Sequence, residues 1–111
     1  FFKSSRYSEA LAAYSLALAH LDDAGLYANR AACHLQLGKL MEAKLDAKKA
    51  IGLSGEVGHL KASWRFAKAC LGLDELSAAE EALQEGLAKW PGDAALQQLK
   101  REVELKRRER R

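Results

Sequence analysis

The chain has 111 residues, enough for one modest domain and no more. Alanine (21 copies) and leucine (19 copies) dominate it, against three β-branched residues (Ile51, Val57 and Val103) and no threonine, which favours helix and excludes a sheet-based fold. The net charge of +3 arises in residues 100–111, where seven bases meet three acids, so the high pI describes a tail and is weak support for a nucleic-acid-binding domain. The first residues, Phe1-Phe2, come without a methionine, which predicts a fragment, and Phe1-Phe2-Lys3 reads as the end of a helix that begins upstream. A helix is expected over RYSEALAAYSLALAHL, with Tyr7, Ala10, Tyr14, Ala17 and Leu18 on one face. Asp22-Asp23-Ala24-Gly25 interrupts it, and a second helix is expected over residues 26–37, with the small Ala31 where a partner can approach.

Gly38-Lys39 then marks a turn into a third helix carrying Leu40, Ala43, Ala47, Ala50 and Ile51. The stretch from Gly52 through Gly58 reads as the next break, and two or three extra residues around 54–59 imply a longer loop or an extended following helix. The fourth helix falls on residues 60–71, with Ala67 as its small residue. Gly72-Leu73-Asp74 ends it, and the fifth carries Leu76, Ala79, Leu83, Gly86 and Leu87. After Pro91-Gly92, Asp93 is placed to cap a last helix with a narrow apolar stripe of Leu96, Leu99 and Val103. Its far end, residues 106–111, is expected to project into solvent.

The first, third and fifth helices share one five-position skeleton, offset by 33 and then 36 residues. The unit is therefore a repeated helix, short turn and helix, with small residues recurring where antiparallel helices pack closely. Little in it suggests catalysis. There is no Gly-rich phosphate loop, Cys-x-x-Cys or His-x-x-x-His, so no enzyme activity, cofactor or metal is expected. Cys33 and His34 are adjacent and diverge by about 100° on a helix, a poor metal pair. His34 reads as an aromatic-sized core or interface residue, His20 and His59 as surface residues near helix ends, and Asp22-Asp23 and Glu80-Glu81 as solvated charges. Cys33 and Cys70 read as reduced core residues of a cytosolic or nuclear protein. No apolar run approaches the ~20 residues of a membrane span.

The pattern resembles the tetratricopeptide repeats, whose period is about 34 residues. Ala31, Ala43 and Ala50 match that family in the middle repeat, and Ala67, Ala79 and Pro91 in the last. Ala47 stands where an aromatic is usual, and Gly86 where the second alanine is usual. The resemblance implies an all-α helical-hairpin solenoid. Residues 1–92 would hold an incomplete first repeat and two full ones, and residues 93–111 a capping helix with a basic end. In that architecture the first helix of each repeat lines a concave groove. Asn29 and Arg65 occupy equivalent places in their repeats, and Lys61 shares a face with Arg65 at i and i+4.

This trio is similar to the carboxylate clamp of co-chaperone tetratricopeptide domains, which hold the acidic C-terminal tail of Hsp90 or Hsp70 ending Glu-Glu-Val-Asp. The likeness implies that Lys61 and Arg65 meet the terminal carboxylates and that Asn29 donates its amide. The family's first-repeat lysine and asparagine would fall before Phe1, the asparagine two positions ahead of it. The strings SRYSEALAAYSLALAHLDDAGLYANRAACHLQLG and LKREVELKRRERR look most like the tetratricopeptide repeat protein 4 kind, with immunophilin and UNC-45-like domains as close rivals. Two other readings stand beside the clamp. A generic repeat scaffold would hold a different peptide or helix in the groove. The basic end would serve as a soluble cap, a nuclear-localisation or nucleic-acid contact, or a calmodulin-type target, although it carries no stacking aromatic.

Overall fold

Inner and outer helices of this chain begin in two different ways, and the difference is written in single residues. The computed structural model describes residues 2–110 as α1 (Phe2–Leu18), α2 (Ala24–Gln36), α3 (Leu40–Ser54), a 3-10 turn (Gly55–Val57), α4 (Leu60–Gly72), α5 (Leu76–Lys89) and α6 (Ala94–Glu109). No strand occurs among the described residues. Three helices start on a side-chain cap. Asp23 accepts a hydrogen bond from the Leu26 amide at 3.0 Å, His59 Nδ1 from the Ala62 amide at 3.1 Å, and Asp93 from the Leu96 amide at 2.9 Å. These caps open α2, α4 and α6. His59 is thus a half-buried capping residue and not a plain surface histidine.

Helices α3 and α5 have no side-chain cap and are entered through left-handed turns instead. Gly38 has φ +76° before α3, and Asp74, 36 residues later, has φ +64° before α5. Glycine takes that conformation freely and aspartate tolerates it. The same place one repeat earlier is Ser5, which lies inside α1. Phe2 and Lys3 therefore lie in one continuous helix with Tyr7, with no turn between them; Phe1 lies outside the described residues. The chain runs on because serine has no such ease in the left-handed region and nothing else there breaks the helix.

Each helix packs on the next, and α2 also meets α4, as α4 meets α6, while the backbones of α1, α3 and α5 do not approach one another. The result is an inner row of α2, α4 and α6 and an outer row of α1, α3 and α5. The rows close on alanine: Ala31, Ala43, Ala47, Ala50, Ala67 and Ala79 are all fully buried. Gly86 goes one step further. A β-carbon there would lie 3.2 Å from Leu96 Cδ1, so glycine lets α6 seat against α5. Leu83, Leu96, Leu99 and Val103 fill the resulting core with Ala67, Cys70 and Ala79, against Trp64, Phe66 and Trp90.

Two other expectations are corrected. Helix α3 continues through Gly52 to Ser54, and the break begins at Gly55, where φ is +61°, and closes at Gly58, where φ is +76°, both in the region that favours glycine. The additional residues form the 3-10 turn and leave the start of α4 at Leu60, so α4 is not extended. The basic end of α6 is also not free in solvent. Arg107 bonds Glu80 at 2.8 Å and the Ser77 hydroxyl at 3.2 Å, and Arg110 bonds Asp74 at 2.6 Å. Its guanidinium groups meet carboxylates on α5 and the turn before it because α6 returns antiparallel to α5; Arg111 lies outside the described residues. Glu80 is accordingly an ion-pair partner and not only a solvated charge.

Burial falls toward α1. Tyr7, Ala10, Tyr14, Ala17 and Leu18 are only half-buried, whereas three of the five matching residues in α3 and in α5 are fully buried. Less apolar surface leaves water when α1 docks, so it opens at the lowest free energy. Hydrogen exchange should find residues 7–18 the least protected helix; α1 emerging as the best protected would contradict this packing order.

Candidate functional site

Arg65 lies on the second turn of α4, and its Nη1 donates a hydrogen bond to the Ala28 carbonyl of α2 at 2.9 Å. This bond spans the inner row and brings the guanidinium to the residue before Asn29. Lys61 lies one turn earlier on α4, on the same face. Asn29 and Lys61 are exposed, and neither makes a hydrogen bond or ion pair among the described residues. The three residues therefore stand on adjacent inner helices, one anchored and two free to turn toward a ligand.

The electrostatics of Arg65 differ from those of three other part-buried cations. Arg30 holds Asp46, Lys44 holds Glu75, and Arg107 holds Glu80. Arg65 has no acid. Burial pushes its pKa below the ordinary arginine value, and the groups that oppose this are the thiol of Cys33 and the phenol of Tyr14. A half-dehydrated cation whose one protein partner is a neutral carbonyl gains more from an incoming anion than a solvated one does. The arrangement offers ammonium, guanidinium and carboxamide donors on an open surface, which suits recognition of a carboxylate. No group of three or more His, Cys, Asp or Glu residues suited to a metal occurs among the described residues.

A second polar cluster escaped the sequence analysis. Arg30 forms a two-pronged pair with Asp46, Nε to Oδ2 at 2.7 Å and Nη2 to Oδ1 at 2.9 Å, and its Nη1 reaches the Ser15 hydroxyl at 3.2 Å. His34 Nε2 lies 3.3 Å from Asp46 Oδ2, while its Nδ1 is buried without a partner. The cluster ties α1, α2 and α3 together. The available signal was Arg30 and His34 at i and i+4 on one helix face. Asp22 and Asp23 also have local tasks. Asp23 caps α2, and Asp22 accepts the Tyr27 hydroxyl at 3.0 Å. Cys33 and Cys70 are buried free thiols, and burial pushes Cys70 up to about 11.

Burial holds the pKa of His34 below its ordinary 6.5, with the nearby Asp46 carboxylate opposing it only in part. The folded state then binds this proton less readily than the unfolded chain. Stability contributed by neutral His34 is complete above about pH 6.5 and declines as pH falls through that value. Urea unfolding of wild type should lose more stability between about pH 7 and pH 5 than the His34→Gln variant does. Identical pH profiles would contradict the burial argument.

No family model matches the chain. Sperm-associated antigen 1 of mouse is 41% identical over 73 residues, which make up 65% of this chain and 8% of that protein. Hsp70-Hsp90 organizing protein 3 of Arabidopsis thaliana is 38% identical over 92 residues, 82% of this chain and 16% of that protein. The chain thus spans less than a fifth of the length of these two relatives. Among solved structures, the second TPR domain of human RPAP3, in complex with the HSP70 peptide SGPTIEEVD, matches with a TM-score of 0.84 at 30% identity, covering 94% of this chain and 86% of that one.

Proposed function

The chain belongs to the tetratricopeptide repeat family, and from that premise we propose that its inner row binds the acidic C-terminal tail of Hsp70- or Hsp90-type chaperones and docks a larger co-chaperone onto them. The observation that carries this reading is Arg65, a half-buried guanidinium without an acid, held at the Ala28 carbonyl beside Asn29 and one turn from Lys61. The peptide held by the RPAP3 domain ends in Glu-Glu-Val-Asp and so presents two adjacent carboxylates at its terminus. Lys61 and Arg65 supply charge-assisted donors for them, and Asn29 donates its NH₂.

Each charged bond is worth about 1.5–3 kcal/mol and a neutral one about 0.5–1.5 kcal/mol. Two charged bonds and apolar contact along the groove bring affinity to roughly micromolar order. Calorimetric titration with SGPTIEEVD tests the assignment. Lys61→Ala should cost about 1.5–3 kcal/mol of binding, and Asn29→Ala about 0.5–1.5 kcal/mol. Neither should change stability appreciably, because both side chains are exposed and unpartnered. Tight binding with Lys61→Ala and Asn29→Ala both neutral would favour the alternative, a repeat scaffold that holds its peptide without a carboxylate clamp.

A further inference from the structure

Beyond Lys61 and Arg65, α4 carries a third cation on the same face. At about 100° per residue, Lys61, Arg65 and Lys68 fall within about 60° of arc, at i, i+4 and i+7. Contacts order them across the inner row. Arg65 reaches back to α2 through the Ala28 carbonyl at 2.9 Å, whereas Lys68 reaches forward to α6, its ammonium 3.6 Å from Glu102 Oε1. Lys61 lies between them in angle.

Lys68 is placed firmly but neutralised lightly. Its ammonium stands 5.9 Å from the centroid of the Trp64 ring, and Trp64 packs against the core that α4 shares with α5 and α6. Its acid is held far more loosely. Arg30, Lys44, Arg107 and Arg110 keep their carboxylates at 2.8 Å or closer, while the Lys68–Glu102 separation exceeds hydrogen-bond reach. Both side chains of that pair are 42% exposed. A pair so open to water is worth little and changes partner at little cost.

Spacing decides which part of a tail meets Lys68. At a rise of about 1.5 Å per residue, Lys68 lies about 7.5 Å along α4 from the level midway between Lys61 and Arg65. An extended peptide advances about 3.4 Å per residue and turns alternate side chains to one side. The side chain two residues before the last is therefore about 7 Å from the terminal one and shares its side. Given the tail-binding function proposed above, we infer that Lys68 exchanges Glu102 for an acidic side chain two residues before the C-terminus, and so selects tails that carry an acid there. Glu102 is the internal stand-in for that acid. In SGPTIEEVD the second glutamate occupies the position.

Calorimetric titration at low salt with SGPTIEEVD and the variant peptides SGPTIEQVD and SGPTIQEVD tests this. Wild type should bind SGPTIEQVD about three- to fivefold more weakly than SGPTIEEVD, the scale of a solvent-exposed pair. Lys68→Met keeps an apolar stem against Trp64 and should bind these two peptides alike. The effect of the other glutamate, read with SGPTIQEVD, should be the same in wild type and Lys68→Met. Glu102→Gln removes the competing carboxylate and should widen the gap between SGPTIEEVD and SGPTIEQVD by about twofold or more. No gap in wild type, a gap that survives Lys68→Met or is unchanged by Glu102→Gln, or a Lys68 dependence on the other glutamate would each overturn the proposal. If wild type still prefers the free acid to the amidated peptide, any of those results removes the role of Lys68 alone. Equal binding of acid and amide would remove the inner-row function and this role with it.

Discussion

Replacing Asp46 by alanine should lower the unfolding free energy by about 3 kcal/mol, the largest stability loss expected from any charged residue of this chain. Asp46 is 6% exposed and accepts both prongs of Arg30, while His34 Nε2 lies 3.3 Å away. Removing it leaves the guanidinium without a counter-charge and the imidazole with both nitrogens unpartnered. Arg30 keeps some access to water and the Ser15 hydroxyl, which holds the cost near the low end of the 3–5 kcal/mol typical of broken buried pairs. At about 4–8 °C per kcal/mol for a domain of this size, the midpoint should fall by well over 10 °C.

The molecule also contains its own control. Arg30, His34 and Asp46 correspond, 36 residues later, to Phe66, Cys70 and Ala82, an apolar set at the same positions. The triple variant Arg30→Phe, His34→Cys, Asp46→Ala should therefore regain most of what Asp46→Ala loses, because an apolar replacement strands no charge. Chemical denaturation of wild type, single and triple variants measures this. A loss below about 1 kcal/mol for Asp46→Ala, or a triple variant weaker than the single one, would contradict the view that the pair is costly to break and easy to replace.

These cross-helix partners also mark where legibility ended. The repeat was readable because its determinants are local: an alanine's size at Ala43 or Ala79, an aspartate before Leu26 or Leu96, a glycine at residue 38. Each acts within a turn or two of its own position. Asp46 lies 16 residues from Arg30, and neither position looks unusual until α2 and α3 are packed. Arg107 and Arg110 read as a solvated end for the same reason, since Glu80 and Asp74 meet them only through the antiparallel return of α6. Ser5 failed in the opposite direction, because the repeat register required a turn where the local residue preferred helix. At the candidate site, spacing placed Lys61 and Arg65 on one face, repeat register set Asn29 at the place equivalent to Arg65, and resemblance supplied the role of the three. The bond from Arg65 to the Ala28 carbonyl, 37 residues away, belongs to the fold alone. It is what separates Arg65 from an ordinary surface arginine.

The loss of one terminal carboxylate should have the largest effect on binding. Amidating SGPTIEEVD leaves its sequence and apolar contacts intact but removes the main-chain charge that Lys61 and Arg65 are placed to meet. Two charge-assisted bonds at about 1.5–3 kcal/mol each set the scale, so the free acid should bind at least tenfold more tightly than the amide. That preference should shrink as salt rises, because the inner row is open to water and screening reaches it within about 8–10 Å. It should vanish in the Lys61→Ala, Arg65→Ala double variant, which lacks both cations and treats the two peptides alike. The decisive measurement is this four-way calorimetric comparison, two peptides against two proteins at low salt. A free-acid preference present in wild type and absent in the double variant is the predicted result; equal affinity of wild type for both peptides, or a preference that survives loss of Lys61 and Arg65, would contradict it.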